Sequence, residues 1–364
     1  MKILEISYRN PHGKDSAGVE SYILKLSEFL IMQNNTVDIV YAGTNKNKSE
    51  TSKEIYIPEI IRKTGLSKFY YNLKLISFVR SNSENYDIIH INGDNGVLVP
   101  YILGIKTIMT LHGSMTESAK VRKKYFTLDS LLSYTLDTLD GLLEKIACRN
   151  ADKVIAVSEH VAKYFQKTRK KDTIAVINTC IQAPQNAKVK LNEIEEIKKM
   201  NKILALWVGR DPVRKGLYIA KDAVKNLNDI ELITVGYYDK NVQDNVINLG
   251  YVDNQILYTL YQIADLMIFP SINEGFSSAL LEAMSYGCIP LAFRIPSTEE
   301  LIENNHTGFL VTNQSELRDK LILLAQNKEI MEQMKSNIIF KAEDYNCDKI
   351  LPKIYAIFEE LYNS

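Results

Sequence analysis

The sequence predicts an α/β fold of two domains, each an open parallel sheet with helices between its strands. Three observations point there. At 364 residues the chain is too long for one ordinary hydrophobic core and suits two. Apolar runs of strand length alternate with segments of helical period, as βαβ units require. The alternation lapses in a polar, Lys/Glu-rich stretch around residues 183 to 200 and then restarts, giving two similar halves and no short repeat.

In chain order, the strand-length runs of the first half are KILEIS (2–7), TVDIVYA (36–42), DIIHI (87–91), TIMTL (107–111), KVIAV (153–157) and TIAVI (173–177). The first intervening helix starts near Ala17-Gly18 and sets Val19, Tyr22, Ile23, Leu26, Phe29 and Leu30 on one face at a 3.6-residue period. After the polar stretch come ILALWVG (203–209), IELITVG (230–236), VINLG (246–250), DLMIFP (265–270) and CIPLAF (288–293). A last helical segment, from Asp348 to Tyr362, spaces Ile350, Ile354, Ile357, Phe358 and Leu361 so that it can pack back across the first domain. The expected domains are therefore 1–183, completed by the helix 348–364, and 184–347. Two such sheets facing one another line a cleft with the carboxyl ends of their strands, where ligands bind in open α/β sheets. Function is sought in the strand-to-helix loops.

With 46% hydrophobic and 24% charged residues and no long low-complexity run, the chain belongs with globular proteins. The start MKILEISYRN reads as a strand without an apolar signal segment, and no run of 18 apolar residues occurs, so neither export nor a membrane span is expected. Cys148, Cys180, Cys288 and Cys347 lie scattered without a CxxC pair. Neither a disulfide framework nor a zinc site is expected from them, and a reducing cytoplasm fits best. The zero net charge divides as 25 Lys and Arg against 19 Asp and Glu in residues 1–185, and the reverse thereafter. Basic residues are too few, and unaccompanied by a recognition motif, for a nucleic-acid partner. GKDSAGVES lacks the GxGxxG spacing, and no acid ends the second strand to take a ribose, which argues against an NAD enzyme.

Two loops of the second half carry most of the chemistry. GRDPVRKG (209–216) hands a strand over to a helix beginning near Leu217, and Arg210 and Lys215 can converge there on one anion. A planar guanidinium and a compact ammonium suit a diphosphate, although an isolated pair of this kind also reads as two solvated surface cations. PSINEGFSSALLEAM (270–284) places Glu274 and Glu282 around a helix start with Gly275, Phe276, Ser277 and Ser278 between them. A helix start suits an anion better than two acids. If Ser277 caps the helix, Glu282 lies one turn in, tilted back toward the loop of Glu274. Alone, Glu274 also reads as a turn residue and Glu282 as a solvated position, but Ala279, Leu280, Leu281, Ala283 and Met284 are all apolar, and a buried acid needs partners. In the first half, Gly18 stands where backbone can approach a ligand closely, and His112 stands beside Gly113 at a strand's carboxyl end. A satisfied structural histidine is the alternative for His112.

In combination these segments become recognisable. AGVES, TLHGS, ADKVIAVSEHV, VGRDPVRKG, LGYV and EGFSSALLEAMSYGCIPLA, in that order, resemble the retaining nucleotide-sugar glycosyltransferases of the large family numbered four. The resemblance spans essentially the whole chain and is most specific over residues 246–292. It implies two Rossmann-like domains facing across a cleft, the GT-B fold, with the donor held mostly by the second domain. It further implies that Arg210 and Lys215 hold the donor diphosphate, Glu282 the ribose hydroxyls and Glu274 the transferred sugar. Gly18 would bring a backbone N–H to the phosphate, His112 would touch a sugar hydroxyl, and Tyr251-Val252 would lie against the base. Carboxylates then address hydroxyls while cations and helix-start amides address the diphosphate between them. Three positions depart from the pattern: Ala17 precedes Gly18, NTCIQ (178–182) lacks a Gly and an Asp, and RIPSTEELI (294–302) has Pro296-Ser297 for glycines and Glu299 for a proline.

The activity implied is retaining transfer of a sugar from a nucleoside diphosphate, UDP ahead of GDP, to a glycan acceptor. Fixed cations stabilise the leaving phosphate more in the transition state than in the ground state. No DxD-like pair stands at a strand end, so no metal or other cofactor is expected. Two basic, aromatic-flanked stretches, residues 60–74 and 120–126, suit an anionic membrane surface, which would make the acceptor a lipid-linked glycan and the protein peripheral at the inner face of the cell membrane. An ordinary solvated helix face is the other reading of those stretches. A nucleotide-sugar epimerase of similar fold and a non-catalytic partner subunit are the rival functions.

Overall fold

The structure is a computed structural model of the chain and describes residues 1–13, 18–42, 53–57, 66–102, 104–123, 128–169, 171–182, 196–197, 199–241 and 243–364. It separates into two compact units, Met1–Cys180 with Cys347–Ser364, and Ile181–Asn346.

The first unit is built on seven parallel strands: β1 (Lys2–Ile6), β2 (Thr36–Ala42), β3 (Lys53–Ile57), β4 (Ile88–Asn92), β5 (Lys106–Leu111), β6 (Lys153–Ala156) and β7 (Ala175–Val176). Their order, β3-β2-β1-β4-β5-β6-β7, reverses direction between β1 and β4. Such a sheet is covered on both faces, which is why its central strands read as unbroken apolar runs. One face packs Ile3, Ile88 and Ile108 against Tyr22, Ile23, Leu26 and Leu30 of the helix Gly18–Met32. The last helix, Cys347–Asn363, adds Ile350, Ile354, Phe358 and Leu361 to that same layer, so it completes the first unit. The other face packs Leu4, Ile89, Ile91 and Met109 against Leu75, Val79 and Phe165.

The second unit holds β8 (Ile203–Val208), β9 (Ile230–Val235), β10 (Val246–Gly250), β11 (Leu266–Phe269), β12 (Ile289–Phe293) and β13 (Phe309–Val311), all parallel, in the order β10-β9-β8-β11-β12-β13. Its direction reverses between β8 and β11, a second switch point.

Three features depart from the sequence reading. KEIYI and FLV form β3 and β13, both at sheet edges, where pairing on one side only lets a strand be short or polar and weakens its pattern. TIAVI shortens to Ala175–Val176, because the Ile174 N–H donates to Gln166 Oε1 (2.9 Å) instead of to a strand. The expectation of no disulfide is overturned: Cys180 and Cys347 are bonded, with Cα atoms 4.8 Å apart across 167 residues of sequence. These cysteines stand where the chain leaves and re-enters the first unit, and the neighbouring Ile181 and Asn346 pair as an isolated bridge. Linear spacing carries no trace of that proximity, and the cysteine argument for a reducing compartment lapses with it. Cys148 and Cys288 are free and buried.

Candidate active site

In the second unit, β8 and β11 are hydrogen-bonded neighbours, with Ala205 opposite Leu266 and Leu206 opposite Met267. The loops that follow them therefore emerge side by side at the switch point, where open α/β sheets bind ligands. Trp207, fully buried, donates its indole N–H to Lys215 O (2.9 Å) and anchors the first loop to the sheet. Asp211 shapes the turn by accepting the Arg214 N–H (3.0 Å), and Ile272 N donates to Arg214 O (3.0 Å), stitching the two loops together. Gly216 has φ +66°, and a Cβ there would stand 2.4 Å from Pro270 O, so only glycine lets the loops close.

This packing sets Lys215 Nζ 2.7 Å from Glu274 Oε1, with Arg214 Nη1 2.9 Å from the same oxygen and 3.0 Å from Asn273 O. Burial opposes the Glu274 charge, but Lys215 and then Arg214 outweigh it and hold the carboxyl below the usual range. For Lys215 the balance runs the other way: burial draws the ammonium below the ordinary lysine range despite Glu274. Both effects describe a desolvated ion pair.

Arg210 does not join it. Its guanidinium lies 5.7 Å over the ring of exposed Tyr251, on the β10 side of the sheet, and Val252 beside it is half-buried. The guanidinium beside Lys215 is Arg214, which the sequence reading passed over. Adjacency to Lys215 in a loop was the only signal for it, and which of the two arginines turns inward depends on the Asp211 turn.

Ser277 is the N-cap of the helix Ser278–Ser285, its Oγ accepting from Leu280 N (3.4 Å). Gly275 and Ser278 are half-exposed, whereas Phe276 is buried against Tyr345, with ring centroids 5.8 Å apart. Glu282 lies among the tyrosines of the helix Asn254–Ile263; burial and then its charge push Tyr258 up to about 12, and the same two causes raise Tyr261.

In the first unit, Gly18 is the exposed first residue of its helix. His112 follows β5, with Nε2 3.0 Å from Asn92 Oδ1 and the ring of Tyr22 edge-on at 4.8 Å. Burial and then the charge of His90 push His112 down to about 3, so it is neutral near pH 7. Of the two basic stretches, residues 60–65 and 124–126 lie outside the described residues. Lys68 is not a free surface cation but pairs with Asp94, while Lys74 lies 5.5 Å over the ring of Tyr70. Among the described residues no helix is long and apolar enough to cross a membrane.

Two parallel-sheet units of this kind, each with a switch point, match the arrangement of the B-type glycosyltransferase fold. Residues 16–183 match the family described as Glycosyltransferase Family 4, and residues 189–339 match Glycosyl transferases group 1. An uncharacterized glycosyltransferase of Methanocaldococcus jannaschii is 24% identical over 99% of both chains. The UDP-Gal:alpha-D-GlcNAc-diphosphoundecaprenol alpha-1,3-galactosyltransferase of Escherichia coli is 24% identical over 79% of each. HepE of Anabaena, solved in complex with UDP and glucose, superposes with a TM-score of 0.77 at 18% identity, covering 99% of this chain and 100% of its own. The chain belongs to the GT-B glycosyltransferases, with a family-four first half and a group 1 second half.

Proposed function

We propose that the protein transfers a sugar, with retention of anomeric configuration and without a metal, from a nucleoside diphosphate, UDP ahead of GDP, to a lipid-linked glycan. The observation that carries this reading is the meeting of Lys215, Arg214 and Glu274 beside a Ser277-capped helix at the second unit's switch point. A diphosphate entering there is met by Lys215, by Arg210 swinging from Tyr251 and by helix-start amides. Cleavage of the sugar–phosphate bond builds negative charge on the leaving phosphate, and Lys215 and the helix-start amides, held in place beforehand, lower the barrier with little reorganisation. Glu274 addresses the transferred sugar, Glu282 the ribose, Tyr251-Val252 the base, Gly18 the phosphate and His112 a sugar hydroxyl. With no enzyme nucleophile assigned, the departing phosphate takes the acceptor's proton during same-face attack.

Support comes from HepE, solved with UDP and glucose, and from the Escherichia coli relative, whose name states a UDP-sugar donor and a diphosphoundecaprenol-linked acceptor. An acceptor of that kind would place the protein at the cytoplasmic face of a membrane; the Lys and Arg residues of the stretches 60–74 and 120–126, Lys68 apart, are the sequence feature that favours it. The test is a panel of UDP- and GDP-sugars screened for protection against thermal unfolding, followed by a transfer assay with a polyprenyl-diphosphate-linked sugar in EDTA. Transfer with an α-linked product from an α-linked donor supports the reading; nucleotide-sugar turnover to an epimer without any acceptor overturns it.

A further inference from the structure

At the carboxyl ends of β1, β4 and β5, a line of polar side chains crosses an otherwise apolar layer of the first unit. Glu5 stands opposite His90 across β1 and β4, and Asn92 stands opposite Thr110 across β4 and β5. All four are 0% exposed, so each polar atom needs a partner. His90 Nδ1 lies 2.9 and 2.8 Å from the two oxygens of Glu5, and His90 Nε2 lies 2.8 Å from Thr110 Oγ1, which Tyr22 OH approaches at 3.3 Å. Phe358 of the last helix closes over the His90 ring at 5.3 Å.

Asn92 is the branch point. Its Nδ2 faces two acceptors, Glu5 Oε2 at 3.1 Å and Ile6 O at 3.3 Å, which fixes the amide orientation: the reverse placement would set Oδ1 against a carboxylate and a carbonyl. Oδ1 is thereby aimed at His112 Nε2, 3.0 Å away, and the proton between them must come from the imidazole. With the ring neutral, the other nitrogen is then a bare lone pair. We infer that Glu5 and Asn92 are positioning residues that hold His112 as its Nε2–H tautomer and so present Nδ1 as an acceptor for a hydroxyl of the donor sugar. The inference deepens the reading of His112 given above and rests on it for the identity of the ligand. His90, with both ring nitrogens engaged, anchors Glu5.

The experiment reads the tautomer directly, by long-range proton–nitrogen correlation of the histidine side chains in the full chain. His112 is assigned among the five histidines by its loss in His112→Gln. Expected is a neutral Nε2–H ring in the wild type and a shift toward the Nδ1–H form in Asn92→Leu, with the signal of His160, held by Glu117 elsewhere in the first unit, unchanged as the guard against mere misfolding. A parallel titration with UDP and with UDP-glucose should show Asn92→Leu weakening UDP-glucose roughly tenfold, the size of one hydrogen bond, while UDP is unaffected. A wild-type Nδ1–H ring or imidazolium, or a ring unchanged in Asn92→Leu, overturns the inference. Failure of the wild type to bind either nucleotide contradicts the donor reading instead, and the tautomer result still stands on its own.

Discussion

Glu274 concentrates the chemistry of the second unit in one carboxylate that faces two cations. Its side chain is 9% exposed and Lys215's is 14%, so removing either partner strands a desolvated charge. Glu274→Gln should lower the unfolding free energy by about 3 kcal/mol at neutral pH, read from urea midpoints. The sign of the pH dependence follows from the depressed carboxyl. The pair's contribution is fully present above the unfolded value near pH 4.3, and it is lost as pH falls through the lower folded value. The gap between wild type and Glu274→Gln should therefore close in acid; a gap that persists at pH 2 argues that the substitution acts by packing. Lys215→Ala should cost about 2 to 4 kcal/mol in turnover, comparable to losing one oxyanion-hole donor, measured as kcat with a UDP-sugar. The apposition of the loops that carry Lys215 and Glu274 was legible in sequence, because both follow strands of one unit; their ion pair was not, since the pattern gives Lys215 to the diphosphate and Glu274 to the sugar. The choice between Arg210 and Arg214 was not, since a turn hydrogen bond decides it. Glu5 and His90 did leave a signal that went unused: each is a polar residue inside a run otherwise apolar, LEI and IHI, and such residues imply buried partners.

The central strands were readable because burial on both faces writes continuous apolar runs, and the edge strands β3 and β13 were not, because KEIYI carries two charged residues and FLV is only three residues long. The Ser277 cap and the helix start at Leu217 followed from local chemistry, and the structure places both where the residues indicate. Ser277→Ala should destabilise the second unit by about 1 kcal/mol, and chemical denaturation of the full chain checks it. Gly216→Ala should cost more, because it combines a positive φ with a Cβ 2.4 Å from Pro270 O. It should also loosen the seat of Lys215 and weaken nucleotide binding; unaltered stability in that variant would mean that the two loops are not tightly apposed.

At the scale of the chain, one long-range bond has no counterpart in the local sequence. The Cys180–Cys347 disulfide closes a loop of 167 residues, the entire second unit, where the chain leaves and re-enters the first. In the chain-entropy account a loop of that length contributes about 5 kcal/mol by restricting the unfolded ensemble. Cys347→Ser, or full reduction, should lower the stability of the first unit by a figure of that order, while Cys148→Ser acts through packing and Cys288→Ser also through the thiol's contacts with Tyr261 O and Ala264 O. The central claim is that the second unit's switch point grips a nucleoside diphosphate through Lys215. Calorimetric titration of UDP into the wild-type chain and into Lys215→Ala tests it most directly. The account predicts saturable one-site binding that weakens at least about tenfold in the variant, as expected for losing a charge-assisted contact. Equal affinity in the two proteins, with Lys215→Ala folded, would contradict it.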